Sequence, residues 1–184
     1  MKNEYEIAAL DIDKKEILKK LEQLGATFDS ENYQKRFTYN IDTEFKGRFI
    51  RLRTNGTKTT LAIKDKSAPK EIGSVKELEF EVQDFYLANE FLETLGYRHT
   101  LYQENKKTIY KLNNVEISID EWPMIPPYIE IEGQSKKAVE QMIDILQIDK
   151  SKLTLAKVSE IYNHYGINLH DYPHLDFSSK PKSL

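Results

Sequence analysis

Residues 76–82 read KELEFEV, a run in which Glu77, Glu79 and Glu81 alternate with Leu78, Phe80 and Val82. Successive side chains of a strand point to opposite faces, so this segment carries one charged face and one oily face. The same period of two recurs along the chain. GRFIRLR (47–53), TTLAIKDK (59–66), VEISIDE (115–121) and YIEIEG (128–133) put Leu52, Leu61, Ile63, Ile117, Ile119, Ile129 and Ile131 on one parity. The other parity holds Arg51, Arg53, Lys64, Glu116, Asp120, Glu130 and Glu132. The first strand, EYEIAAL (4–10), follows suit, with Glu4, Glu6 and Ala8 on one side and Tyr5, Ile7 and Ala9 on the other. Further strands are expected at RFTYNI (36–41) and KKTIYKL (106–112), with turns at Asn55-Gly56 and at the pair Asn113-Asn114.

Two helices interrupt the strands. Asp13 can cap KKEILKKLEQLG, whose Ile17, Leu18, Leu21 and Leu24 share a face, and DFYLANEFLETLG (84–96) ends in glycine in the same way. At a constant offset of 71 residues Leu21-Glu22 and Leu24-Gly25 return as Leu92-Glu93 and Leu95-Gly96. Glu6 likewise maps to Glu77, Arg36 to Lys107 and Tyr39 to Tyr110. A duplicated unit of carboxylate strand, amphipathic helix and antiparallel meander is expected, and two copies close a barrel of about eight strands. The helices need an apolar surface, which the outer wall supplies, so the charged parity lines the inside. The fold class expected is α+β: an eight-stranded antiparallel tunnel with a charged interior and helices outside. Residues 1–184 form one domain, with helices at 135–166 (SKKAVEQMIDILQ and SKLTLAKVSEIYNHYG) and a tail at 167–184.

Composition excludes other classes. The net charge is -3, so neither DNA nor an anionic membrane is attracted globally, and there is no cysteine for disulfides or thiolate chemistry. No run approaches the ~18 apolar residues of a membrane span, and MKNEYE lacks the apolar core of a signal peptide. A cytoplasmic protein, monomeric or homodimeric, is the expectation. An interior of mixed sign suits a metal-bound polyanion, since arginine and lysine hold phosphate oxygens while carboxylates hold a hard divalent ion.

The order of these residues resembles the CYTH family, also called triphosphate tunnel metalloenzymes. The likeness runs over residues 3 to about 133 and rests on Glu4-x-Glu6, Arg51-Leu-Arg53, Lys64 of LAIK, KELEFEV, Lys107, SIDE and YIEIE. It implies dependence on Mg²⁺ or Mn²⁺ and chemistry on tripolyphosphate, thiamine triphosphate, RNA 5′-triphosphate or ATP. Carried over, Glu4, Glu6 and Glu132, with Asp120 or Glu130 assisting, are the metal carboxylates. Glu77 and Glu79 hold a second metal or position water as the catalytic pair. Arg51, Arg53, Lys64 and Lys107 grip phosphate, with Arg36 added from the repeat. Hydrolysis is the leading activity; cyclisation of ATP by a class IV adenylate cyclase and binding without catalysis are the alternatives.

The chain departs from the family pattern in three places. Ala8 stands where Glu-x-Glu-x-Lys has lysine, Asn105 and Lys107 stand where Lys-x-Arg is usual, and PMIPPY (123–128) replaces Gly-Leu-Gly-x-Phe. The first two departures remove phosphate-facing cations, so weaker hold on triphosphate is expected. Trp122 is read as a packed loop residue rather than a base-stacking platform. His164, His170 and His174 are read as part of a tail lying on the domain rather than as zinc ligands.

Overall fold

In a computed structural model the alternating segments close on themselves. Residues 1–41, 46–68 and 70–181 are described, so the last three positions of the expected tail and Pro69 of the break after the fourth strand lie outside the described residues. The first half runs β1 (Lys2–Ala9), α1 (Lys14–Gln23), β2 (Thr27–Asn40), β3 (Arg48–Thr54) and β4 (Thr59–Asp65). The second repeats it as β5 (Val75–Val82), α2 (Phe85–Thr94), β6 (His99–Leu112), β7 (Val115–Glu121) and β8 (Tyr128–Gly133). Strand order around the sheet is β6-β2-β3-β4-β5-β1-β8-β7, and β7 pairs again with β6, so eight antiparallel strands form a closed barrel.

Local chemistry starts and stops each element. The Asp13 carboxylate accepts the amides of Lys15 and Glu16 to open α1, and Asp84 accepts that of Leu87 to open α2. Gly25 and Gly96 follow the two helices with φ of 71° and 95°, conformations that a Cβ would oppose. Asn113 and Asn114 take φ of 50° and 60°, the left-handed pair that a tight two-residue hairpin between β6 and β7 requires.

The apolar parity faces outward and is covered by helices in two places, and a third cluster lies at one end of the inward parity. Ile7, Ile117, Ile119, Ile129 and Ile131 pack under Ile17 and Leu21 of α1 and under Val139, Met142 and Ile143 of α3 (Lys136–Ile145). Tyr39, Ile50 and Leu52 pack under Phe85 and Leu92 of α2. The C-terminal segment covers a third cluster containing Trp122, Tyr128, Ile161, Tyr162 and Leu169. On β5 the expectation of a covered wall is not met: Leu78 is 51% and Phe80 55% exposed.

One further expectation is corrected. Residues 151–157 are not helical: Lys150–Lys152 form a single 3₁₀ turn, and β9 (Leu153–Thr154) pairs with Ala8 and Ala9 of β1, so only α4 (Val158–His164) is helix. Backbone demand explains this, because β1 pairs with β5 over Lys2–Glu4 only and leaves its other half an edge for β9 to fill. The tail lies on the domain as expected, with β10 (His174–Leu175) adding in parallel to β6 and Leu175 fully buried. No helix among the described residues is long and apolar enough to cross a membrane.

Replacing the fully buried Leu21 with alanine should lower unfolding free energy by about 2–5 kcal/mol in urea denaturation. Leu78→Ala, on the open face of β5, should stay within about 0.5 kcal/mol. Equal losses at the two positions would contradict the placement of the core outside the barrel.

Candidate functional site

The inward parity of all eight strands surrounds one cavity of about 670 Å³, and every candidate residue named from the sequence lines it. The signs are segregated. Arg36 of β2, Arg51 and Arg53 of β3 and Lys64 of β4 make one side cationic, while Glu77 and Glu79 of β5, Glu4 and Glu6 of β1 and Glu130 and Glu132 of β8 make the other anionic. Lys107 of β6 and Asp120 of β7 complete the ring as direct cross-strand partners.

Most of these charges hold one another. Arg51 binds Glu77 at 2.8 Å and Glu79 at 3.0 Å, and Arg53 reaches Glu79 at 3.3 Å. Ala62 lies between Arg51 and Glu79 in the same cross-strand row, and its methyl group leaves space for that bridge. Lys64 binds Glu4 at 2.9 Å, while Lys107 lies 2.8 Å from Glu130 and 3.3 Å from Asp120. Burial alone would lower Lys107, but Asp120 and Glu130 outweigh it and hold the ammonium above its ordinary range. Burial alone would raise Glu79, yet Arg53, Arg51 and the Thr60 hydroxyl keep that carboxylate below its usual value.

One row has no such relief. Glu6, Glu132 and Glu116 are successive cross-strand partners on β1, β8 and β7. Among the described residues neither Glu6 nor Glu132 has a cation within ion-pair distance. Burial, then the charges of Glu6 and Glu116, push Glu132 up to about 7. Like charges directly opposite one another are destabilising unless something positive lies between them. Among the described residues no three carboxylate or histidine groups stand close enough to cage an ion unaided. An ion such as Mg²⁺ needs no cage of that kind, being held ordinarily by one or two carboxylates, water and substrate phosphate, and the Glu6–Glu132 row fits that donor set.

The departures from the family pattern have structural counterparts. Asn105 is fully buried, accepts a hydrogen bond from the Arg36 guanidinium and donates to Asp120 at 3.1 Å. Arg36 therefore occupies the space beside Asn105 from the neighbouring strand. Burial and the charges of Arg53 and Arg51 push Arg36 down to about 9, which leaves it cationic at neutral pH. It has no carboxylate within ion-pair distance among the described residues, and it rests on the Trp122 ring at 4.6 Å. Trp122 is packed as expected, 4% exposed, yet it also lines the cavity. Ala8 is buried beside Glu130 in the row Ala8–Glu130–Ser118, whose small flanking side chains let Glu130 reach Lys107.

Sequence reasoning missed Lys66 and Gln103. Lys66 lines the cavity; burial and Lys64 lower its pKa, while Glu6, Glu130 and Glu4 act in the opposite sense. Its parity with Lys64 in LAIKDK was the available signal. Of the histidines, His170 reaches the cavity wall, His164 lies 3.6 Å from Asp11, and His174 stacks on Tyr102.

Comparison with known proteins agrees with this geometry. A protein of Methanocaldococcus jannaschii named "Putative adenylate cyclase MJ0240" is 24% identical over 153 residues, 78% of this chain and 87% of its own. The structure of the PH1012 protein from Pyrococcus horikoshii OT3 superposes with a TM-score of 0.74 at 25% identity, over 84% of this chain and 96% of that one. A Hippeastrum protein, described as a "Putative adenylyl cyclase" with a dominant triphosphatase activity, shares the fold with a TM-score of 0.61 at 14% identity, over 91% and 97% of the two chains. The profile of the CYTH domain matches residues 2–165, nearly the whole length, and this chain belongs to the CYTH family.

Proposed function

We propose that the tunnel binds a triphosphate together with a divalent cation, Mg²⁺ or Mn²⁺, and hydrolyses the terminal phosphate. The observation that carries this reading is the segregated lining: a cationic wall of Arg36, Arg51, Arg53 and Lys64 faces carboxylates of which one row, Glu6–Glu132, has no counter-charge. The Hippeastrum neighbour's triphosphatase activity supports the same chemistry.

Arg51, Arg53, Lys64, Lys107 and Arg36 would take the phosphate oxygens. Arginine forks suit that role because they bind such oxygens in pairs. Glu6 and Glu132, joined by Glu4 and by Glu130 or Asp120, would hold the metal, which supplies neutralisation of phosphate charge and a polarised phosphorus. Phosphate drawn to Arg51 and Arg53 takes those cations away from Glu79 and Glu77. Glu79, held below its ordinary range by Arg53 and Arg51, then regains basicity and can accept a proton from water attacking the terminal phosphorus. The bond to the bridging oxygen breaks, and orthophosphate leaves. Cyclisation of ATP is the second reading, favoured by the name of the Methanocaldococcus relative.

Incubation with tripolyphosphate, thiamine triphosphate or ATP plus Mg²⁺ or Mn²⁺ separates the readings. Orthophosphate is the expected product; cyclic AMP with pyrophosphate would favour cyclisation, and tight binding without product would mean a receptor. Failure of all three compounds to bind would refute the proposal. Glu6→Gln should abolish the metal-dependent signal while leaving the fold intact by circular dichroism. Arg53→Ala should weaken triphosphate binding by about 1.5–3 kcal/mol in calorimetry, the scale of a hydrogen bond to a charged group. Unchanged affinity in that variant would remove Arg53 from the site.

A further inference from the structure

On the triphosphate reading phosphate oxygens use the charged stretch of the cavity, whereas another part of its lining is largely apolar, with Lys157 and His170 beside it. Leu101 of β6, Trp122 after β7, Val158 of α4 and Leu169 of the C-terminal segment form it. These side chains come from separate parts of the chain, and the C-terminal segment is held there by β10 on β6 and by the Tyr162 hydroxyl donating to the Pro123 carbonyl at 2.7 Å. At about 670 Å³ the cavity lies within the roughly 300–1,000 Å³ range of pockets that enclose ring-bearing ligands.

Gln103 stands at the junction of the two walls. It lies two residues from Leu101 on the same face of β6 and directly across from Arg36 on β2, whose guanidinium lies on Trp122. Its side chain is 5% exposed and lines the cavity. Gln34, also buried, gives its oxygen to Arg36 at 3.1 Å; among the described residues the Gln103 carboxamide has no such partner. A carboxamide offers one donor and one acceptor side by side. That pair complements an amino group next to a ring nitrogen, as glutamine complements the amino edge of adenine.

We propose that Gln103, backed by Leu101 and the C-terminal wall, determines specificity by reading the amino-substituted nitrogen heterocycle of an organic triphosphate. ATP and thiamine triphosphate both carry that edge, and inorganic tripolyphosphate does not. The proposal rests on the triphosphate reading. On this account the segment after α3 is part of the binding site, and its role is to exclude water from a ring that the charged lining cannot hold.

The test is calorimetry on the full chain with Mg²⁺, using tripolyphosphate, the β,γ-imido analogue of ATP and thiamine triphosphate as probes. The heterocyclic probe that binds more tightly identifies which source the site accepts. Gln103→Leu keeps the volume and removes the donor and acceptor; it should weaken that probe about tenfold and leave tripolyphosphate within about twofold. Leu101→Ala, which leaves the carboxamide in place, should cost the same probe roughly fivefold with tripolyphosphate again unchanged. Equal loss for all three probes, or no loss for the heterocyclic ones in both variants, overturns the assignment of Gln103 while the triphosphate reading stands. Failure of the wild-type chain to bind any of the three overturns both.

Discussion

A closed barrel that turns its charged faces inward must balance those charges inside its own wall. Desolvating an unpaired carboxylate or guanidinium costs several kcal/mol, more than any single hydrophobic contact returns. Arg51 between Glu77 and Glu79, Lys64 on Glu4 and Lys107 between Glu130 and Asp120 satisfy that condition without a ligand. The same condition accounts for the small residues on the inward parity. Ala62 clears the path from Arg51 to Glu79, and Ala8 and Ser118 flank Glu130 where it reaches for Lys107. On the proposed reading each pair substitutes internally for a ligand, and phosphate and metal are expected to enter by exchange: phosphate takes the cations, and the released Glu4 and Glu130 join Glu6 and Glu132 around the metal.

The two halves of the chain build one backbone and opposite electrostatics. Arg36 faces Arg53 across β2 and β3, whereas its repeat counterpart Lys107 faces Asp120 across β6 and β7. The position that is arginine on β3 is therefore aspartate on β7. Glu6 and Glu77, equivalent in the repeat, also diverge in surroundings: Glu77 pairs across the sheet with Lys64, and Glu6 with Glu132. Duplication supplies the barrel, and sign reversal at matched positions makes its lumen polar from side to side.

Much of this was legible in the sequence because a period of two survives without any tertiary knowledge. The charged and oily parities of β3, β4, β7 and β8 can be read residue by residue, as can the caps Asp13 and Asp84. The first halves of β2 and β6 were not legible. A register shift between Phe28 and Ser30 breaks the alternation, and β2 there carries polar residues on both faces. The two-residue strands β9 and β10 have no local signal, since only the unpaired edges of β1 and β6 induce them. The ion-pair pattern was likewise invisible: parity tells which charges share the lumen, whereas the register between strands decides that Lys107 is the cation on Asp120 and that Arg36 reaches Asn105 from the neighbouring strand. Gln103 carried no pattern at all, being a single amide in a strand whose partners only the closed barrel reveals.

Partner exchange is tested most directly by a crystal structure of the chain with tripolyphosphate and Mn²⁺, the ion located by its anomalous scattering. The account predicts phosphate oxygens on Arg51, Arg53 and Lys64, the ion at Glu6 and Glu132, and Glu77 and Glu4 separated from the cations that hold them in the free protein. Ion pairs left intact, with the phosphate bound outside the barrel or the ion on other residues, would contradict it.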